Sequence, residues 1–166
     1  MSEQAVRLQE TTTEMLNEVE SLPPELIHWI PGPGVWSIMD ILCHVREFLP
    51  FWTAETLRIA CGTGDQWGRT HADEARLAVV ANTASVRLDD VAKDIRREVR
   101  HAADALNQLS DADLAAEATS RNPRWGLKPA FFIVDDLLVH HVEKHLGQIR
   151  RNIAAYDELA SPERSR

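Results

Sequence analysis

The chain has 166 residues, of which 44% are hydrophobic and 27% are charged, and these values are typical of one ordinary globular domain. Its formal net charge of −8 disfavours binding to the phosphate backbone of nucleic acids, and no run of Lys and Arg offsets that charge. No stretch reaches the roughly 18 consecutive apolar residues of a membrane span, and residues 1–20 lack the apolar core of a signal peptide, which together predict a cytoplasmic protein without a membrane partner.

Segments of helical composition follow one another along the chain. They predict long helices over residues 3–21, 37–59, 84–109 and 130–159. Pro23 and Pro24 stop the first helix, and Ser37 and Asp40 have the spacing of a capping box at the start of the second. A further short helix is predicted over residues 73–80.

The connections between these helices predict how they are arranged. No segment has the sequence pattern of paired β-strands, and the first and third connections between the long helices are predicted to be short. The connection over residues 61–83 is long enough to cross one end of a bundle and to permit parallel neighbours. We therefore predict an all-α four-helix bundle in a single domain over residues 1–160, followed by a frayed tail over residues 161–166.

Two histidines share one face of the last predicted helix. His141 and His145 are four residues apart, and because an α-helix turns by about 100° per residue, their side chains point in nearly the same direction. Leu137 and Leu138 precede them on the inward stripe, whereas Glu143 points to nearly the opposite side, which excludes the H-E-x-x-H motif of zinc proteases. Imidazole is a common metal ligand, so the pair points to a metal site, and two hydrogen-bonded core histidines stay open as the alternative.

A third histidine lies on the apolar stripe of the second helix. His44 shares this stripe with Ile41 and Phe48, and a buried imidazole needs either hydrogen-bond partners or a metal. Spacing alone does not join His44 to the pair, since that requires the two helices to pack side by side. Asp40 and Glu47 flank the stripe and are candidates to orient His44 or to act as a fourth ligand; the alternative is that they are surface acids.

Two segments resemble the DinB/YfiT-like superfamily. Residues 36–45, with the sequence WSIMDILCHV, resemble the opening of that family's second helix. Residues 141–148, which include Gly147 and Gln148 after the second histidine, resemble its H-x-x-x-H-x-G-Q signature. The lead-in to the second helix is also similar, at Leu26, Trp29, Pro31 and Pro33. The resemblance extends over about residues 6–156.

The resemblance implies a four-helix bundle with an up-down-down-up order of helices and a metal site of three histidines. The family's ligands map onto His44, His141 and His145. Many members carry a further histidine directly before the last ligand, where this chain has Lys144. Homodimers are frequent in the family, so a homodimer is expected. The family's characterised enzymes are thiol S-transferases that use bacillithiol, mycothiol or glutathione, and one group isomerises maleylpyruvate.

Three imidazoles leave at least one coordination position open for water or for a thiol. Nitrogen ligands suit one divalent transition metal, with zinc or nickel expected and iron or copper also compatible. By resemblance, the leading interpretation is a metal-dependent thiol S-transferase whose partner is a low-molecular-weight thiol. Two alternatives stay open at this point: a metal-dependent hydrolase, and a non-catalytic module in which the metal ties helices together.

Several basic and aromatic side chains are candidates for contacts with a ligand. Cations that could bind carboxylates of a cosubstrate, or could be solvated, are Arg58, Arg69, Arg121, Arg124 and Lys128. Indoles that could wall a pocket, or could pack in the core, are Trp52, Trp67 and Trp125.

Overall fold

The computed structural model describes residues 2–63, 66–70 and 72–160, and the predicted tail over residues 161–166 lies outside them. The long helices are α1 (Glu3–Glu20), α3 (Ile38–Ala60), α5 (Leu88–Leu106) and α8 (His140–Ala160). Shorter helices are α2 (Pro24–Ile27), α4 (Glu74–Val80), α6 (Asp111–Leu114) and α7 (Ala130–Phe132). The predominantly helical character that the sequence predicted is confirmed.

The long helices pack around a common apolar core. Helix α5 packs against both α1 and α3, and α8 also packs against both, so α1 and α3 occupy opposite corners. Each long helix contributes fully buried side chains to the core, among them Leu8, Ile41, Phe48, Ile95 and Ile149. Burial of each such side chain contributes about 1.5–3 kcal/mol. None of the helices in the described part of the chain combines the length and apolar character that a membrane span requires.

The capping box predicted at Ser37 and Asp40 begins helix α3. The Ser37 hydroxyl accepts a hydrogen bond from the Asp40 backbone N–H at 3.1 Å, and the Asp40 carboxylate accepts one from the Ser37 backbone N–H at 2.9 Å. The same carboxylate accepts a hydrogen bond from the Thr83 hydroxyl. A turn follows in which the Val86 N–H donates to the Thr83 carbonyl, so α5 begins at Leu88 rather than at residue 84 as predicted.

The structure contains a small sheet, and the prediction that the chain has no strands is wrong. Strand β1 (Gln66–Trp67) pairs in parallel with β2 (Glu117–Ser120), which pairs antiparallel with β3 (Leu127–Pro129). Trp67 lies opposite Ser120, and its indole N–H donates to the Ala118 carbonyl at 2.8 Å. The strands are too short for their sequences to show the two-residue alternation of apolar and polar side chains. Their pairing also joins distant parts of the chain, so the sequence did not predict the sheet.

The third connection is also longer than predicted. The segment over residues 107–129 holds α6, β2 and β3, and the segment over residues 61–87 holds β1 and α4. The sheet therefore ties the first part of one connection, through β1, to the other connection, through β2.

The last helix is irregular just before its histidines. After α7, the chain forms a π-helical stretch, Ile133–Val139, and then continues as α8. A π-helix carries i→i+5 hydrogen bonds and so holds an extra residue in each turn. The extra residue changes the direction of the side chains that precede His140. The sequence predicted a regular α-helix over residues 130–159 and therefore did not predict this change.

Candidate metal centre

Three histidine side chains converge between α3 and α8. His44 comes from α3, and His141 and His145 come from the first two turns of α8. Each ring offers one nitrogen, and these ligand atoms all lie within 4.8 Å of one another. The centroid of the His44 ring lies 5.3 Å from that of the His141 ring and 5.1 Å from that of the His145 ring. The packing of the two helices thus supplies the side-by-side arrangement that sequence spacing could not.

Each of the three rings has a buried nitrogen that makes no hydrogen bond within the described residues. These atoms are Nδ1 of His44, Nδ1 of His141 and Nε2 of His145. A buried polar atom without a partner costs about 1–3 kcal/mol, so three such atoms on neighbouring rings need an explanation. The other nitrogen of His145, Nδ1, lies 3.2 Å from Oε1 of Gln148. This contact leaves the lone pair of Nε2 available to bind a metal. The arrangement fits a metal ion held by imidazoles.

Burial keeps the three imidazoles neutral at physiological pH. Desolvation lowers the pKa of His44 to about 2, of His141 to about 3 and of His145 to about 4. Repulsion from neighbouring rings lowers the pKa of His44 and His141 further, and the positive charge of Arg76 acts in the same direction on all three. Hydrogen bonding to the Leu137 backbone and to Gln148 partly opposes these shifts at His141 and His145, respectively. A neutral imidazole is the form that binds a metal, so no proton has to be displaced from these rings at neutral pH.

Aromatic side chains hold the histidine rings in place. Phe48 stacks on His141 with ring centroids 4.4 Å apart and an angle of 4° between the planes. Trp36 stacks on His145 at 6.3 Å, and its backbone carbonyl accepts a hydrogen bond from the Asn152 amide at 2.8 Å. These contacts restrict ring rotation, so the ligand atoms are oriented before any ion binds.

A cavity of about 230 Å³ opens beside the histidines. The described residues that line it are His44, Trp52, Arg69, Thr70, Arg76, Asn122, Trp125, Asp136, Leu137, His141 and Lys144. Cations outnumber acids among them, although the protein as a whole carries a net charge of −8. A ligand in this cavity would therefore meet a locally positive wall next to the imidazoles.

The sequence profile of the DinB superfamily matches residues 7–149. The protein belongs to the DinB superfamily. Its fold is similar to that of YfiT from Bacillus subtilis, a protein described as a probable metal-dependent hydrolase with an unusual four-helix bundle topology. The two chains are 13% identical and align with a TM-score of 0.76, over 92% of this chain and 87% of YfiT. No protein of curated function matches this chain in sequence.

Asp40 and Glu47, the predicted candidates for orienting His44, are engaged elsewhere in this DinB-superfamily protein. Asp40 caps α3, as described above. Glu47 binds Arg69 through two hydrogen bonds of 2.5 and 2.6 Å, and the Arg69 guanidinium also lies over the Phe51 ring at 4.0 Å. No carboxylate of the described residues joins the three histidines as a fourth candidate ligand.

Of the five cations proposed from the sequence, Arg69 is the one that lines the cavity in the described part of the protein. Arg58 binds Glu55 and the Gln66 carbonyl, and Arg121 donates to the Gly68 carbonyl at 3.1 Å. Lys128 lies over the Phe132 ring at 5.1 Å, and Arg124 is exposed in the turn before β3. These side chains support the small sheet and its turns.

Of the three tryptophans, Trp52 and Trp125 line the cavity, whereas Trp67 is fully buried behind them. Trp67 stacks on Trp125 with ring centroids 5.5 Å apart and an angle of 11° between the planes. The tryptophan from β1 therefore positions the cavity wall and does not itself face the ligand.

Sequence reasoning missed several residues of the cavity. Arg76 reaches it from α4, Asn122 from the β2–β3 turn and Asp136 from the π-helical stretch. No motif marks the first two, because folded connections bring them to the histidines. Lys144, which stands where many relatives have histidine, also lines the cavity. It lies three residues after His141, and this helical spacing could have indicated that the two side chains are neighbours.

Proposed function

We propose that this protein is a metal-dependent enzyme that binds one divalent transition metal through His44, His141 and His145. The observation that carries the proposal is the convergence of three neutral imidazoles, two buried and that of His141 half-buried, beside an open cavity. Three nitrogen donors without a fourth protein ligand are typical of catalytic metal sites, whereas structural zinc sites have four protein ligands. Zinc or nickel is the ion that we expect, and iron or copper is compatible with the same donors.

We propose thiol S-transfer as the reaction, with a low-molecular-weight thiol as cosubstrate. A bound divalent ion would act as a Lewis acid, lowering the pKa of a coordinated thiol from its free value of about 8.5. Arg76 and Lys144 line the cavity and would attract the carboxylates of an anionic thiol. Trp52 and Trp125 wall the same space and would exclude water from the sulfur.

Cobalt-substituted protein tests the proposal. Addition of an anionic thiol such as 3-mercaptopropionate should produce a sulfur-to-cobalt charge-transfer band in the wild type, and none in His44→Ala. Thiol-dependent consumption of an electrophile, followed by loss of free thiol, then tests the transfer step. A cobalt spectrum that no thiol perturbs would contradict the S-transfer proposal.

A hydrolase is the second candidate function. Two observations favour it: the similarity of fold to YfiT, described as a probable metal-dependent hydrolase, and the presence of the Asp136 carboxylate in the cavity, where it could activate water. Hydrolysis of esters or amides by metal-loaded protein, without any thiol effect on the cobalt spectrum, would select this function. A purely structural metal is disfavoured because two of the three histidines, His44 and His141, border an open cavity.

We also propose that the protein acts as a homodimer in the cytoplasm, where thiols are kept reduced. The up-down-down-up order of the helices, implied by the resemblance, belongs to the same proposal. Sedimentation at micromolar concentration tests the oligomeric state, and a monomer alone would contradict it.

A further inference from the structure

Asp136 is a half-buried carboxylate that lines the histidine cavity. It lies on the π-helical stretch Ile133–Val139, five residues before His141. In a regular α-helix two residues five apart would point about 140° away from each other. The i→i+5 geometry of the π-helix reduces this divergence, so that Asp136, Leu137 and His141 all border one cavity.

The other acids around the cavity already have partners. Glu47 binds Arg69, and Asp73 contacts the same guanidinium at 3.3 Å while capping α4 through the Arg76 backbone N–H. Asp135, next to Asp136, faces α1 and lies 3.5 Å from Arg7. Asp136 makes no hydrogen bond or ion pair with any residue that the structure describes, although it lies among charged groups. Its oxygens are therefore available to a ligand.

The groups that line the cavity differ in whether they can take a proton. The side chains of Arg69, Arg76 and Lys144 act as hydrogen-bond donors and not as acceptors, and the Asn122 amide is not basic. The lone pairs of the three imidazoles are committed to the ion in the proposed function. Asp136 is the carboxylate that remains among the described lining residues.

We propose that Asp136 is a catalytic residue that accepts the proton of the thiol bound in the cavity. This inference rests on the proposed function. The S–H bond breaks, its electron pair stays on sulfur, and the proton passes to a carboxylate oxygen of Asp136. When the sulfur then bonds to an electrophilic carbon, the bond from that carbon to its leaving group breaks. The leaving group departs with the bonding electron pair and takes the proton from Asp136, which returns to the carboxylate form.

The rate at which a thiol binds to cobalt-loaded protein tests this role without any turnover. Mixing with 3-mercaptopropionate is followed in a stopped-flow instrument between pH 6 and 8. In the wild type the binding rate should change little with pH, because Asp136 removes the proton at the site. In Asp136→Asn only preformed thiolate can bind, so the rate should rise about tenfold per pH unit, as the free thiolate does below its pKa. At pH 6.5 we expect a loss of roughly tenfold or more.

Two variants separate proton transfer from structural damage. Asp135→Asn changes the neighbouring carboxylate, which faces Arg7, and should retain the wild-type pH profile. Asp136→Glu retains a carboxylate and should restore the nearly flat profile. Cobalt stoichiometry, measured for every variant, should equal that of the wild type.

The outcomes distinguish the two proposals. If thiol binds to the wild type and Asp136→Asn shows the same rate and the same pH profile, the role of Asp136 is overturned while thiol binding stands. If no thiol perturbs the wild-type cobalt spectrum, the S-transfer proposal fails and the role of Asp136 fails with it. A steep pH profile in Asp136→Asn that Asp136→Glu reverses supports proton transfer.

Discussion

The Nδ1 atom of His145 lies 3.2 Å from the Oε1 atom of Gln148, one helical turn further along α8. Because an amide oxygen can only accept a hydrogen bond, this contact selects the tautomer of His145 in which Nδ1 carries the proton and Nε2 carries the lone pair. The side chain of Gln148 therefore orients a candidate ligand without reaching the ion. Partners that fix the tautomer and the ring orientation of a ligating histidine commonly have a large effect on metal affinity.

We expect Gln148→Ala to lower the metal affinity by about 10–100-fold, since His145 would lose the hydrogen bond that sets its tautomer and ring orientation. Competition for zinc with a chromophoric chelator measures the dissociation constant. Gln108→Ala, a change of an exposed glutamine after α5, is the matched control and should leave the affinity unchanged. An affinity within twofold of wild type for Gln148→Ala would contradict the orienting role.

His141→Ala should abolish stoichiometric metal binding, because two imidazoles without a third donor hold a divalent ion too weakly to survive purification. Elemental analysis of the purified protein gives the metal content per chain. The adjacent His140 is exposed and lies 3.5 Å from Glu143, so His140→Ala should retain the wild-type metal content. Full metal in the His141→Ala protein would remove this residue from the site.

The metal-free protein should lose stability as the pH falls from about 6.5 towards 4. The folded-state pKa values of His44, His141 and His145 are lowered to about 2, 3 and 4, whereas an unfolded histidine titrates near 6.5. In this window the unfolded state binds more protons, so the free energy of unfolding declines with falling pH, by up to about 1.4 kcal/mol per pH unit for each group. The contribution is fully present above pH 6.5.

Urea unfolding of metal-free protein between pH 7.5 and 5 measures this dependence. His101 is exposed and lies outside the histidine cluster, so His101→Gln is the control and should show the wild-type slope, while His44→Leu should show a shallower one. Equal slopes in the wild type and His44→Leu would argue against neutral burial of His44 as a cause of acid sensitivity.

Lys144→Gln should weaken the binding of an anionic thiol more than that of a neutral one. Lys144 is exposed at the cavity, so the expected loss for 3-mercaptopropionate is only a few-fold, and it should shrink as the salt concentration rises. Binding of 2-mercaptoethanol should be unaffected. Titration of cobalt-loaded protein with each thiol gives the two affinities, and Lys93→Gln on the outer surface of α5 is the control. Equal losses for both thiols would exclude a role of the Lys144 charge.

Trp67→Ala should destabilise the protein by about 3–5 kcal/mol, since it removes a fully buried indole and its hydrogen bond to the Ala118 carbonyl. Leu127→Ala, in the neighbouring strand β3, changes a side chain that is 59% exposed and should cost less than about 0.5 kcal/mol. Chemical unfolding of both variants gives the comparison. A cost for Trp67→Ala no larger than for Leu127→Ala would mean that the sheet does not anchor the connections.

The local features of this protein follow from its sequence, because they depend on residues close together in the chain. Helical periodicity and the proline stops predict the long helices, and the Ser37–Asp40 spacing predicts the cap of α3, which the hydrogen bonds confirm. The spacing of four between His141 and His145 places both rings on one face of α8. Each of these depends on the geometry of a single helix, which is nearly the same in every protein.

The tertiary structure alone decided how His44 meets the histidine pair, because that depends on which faces of α3 and α8 pack together. It also decided the sheet, since pairing of β1 with β2 joins residues from two different connections. Asp136 borders the cavity because packing selects a π-helical stretch where local propensity favours an α-helix. Arg76 likewise reaches the histidines only because α4 packs against α3. Contacts between distant segments leave no period in a sequence, so the places of Arg76 and Asn122 in the cavity wall could not be predicted from it.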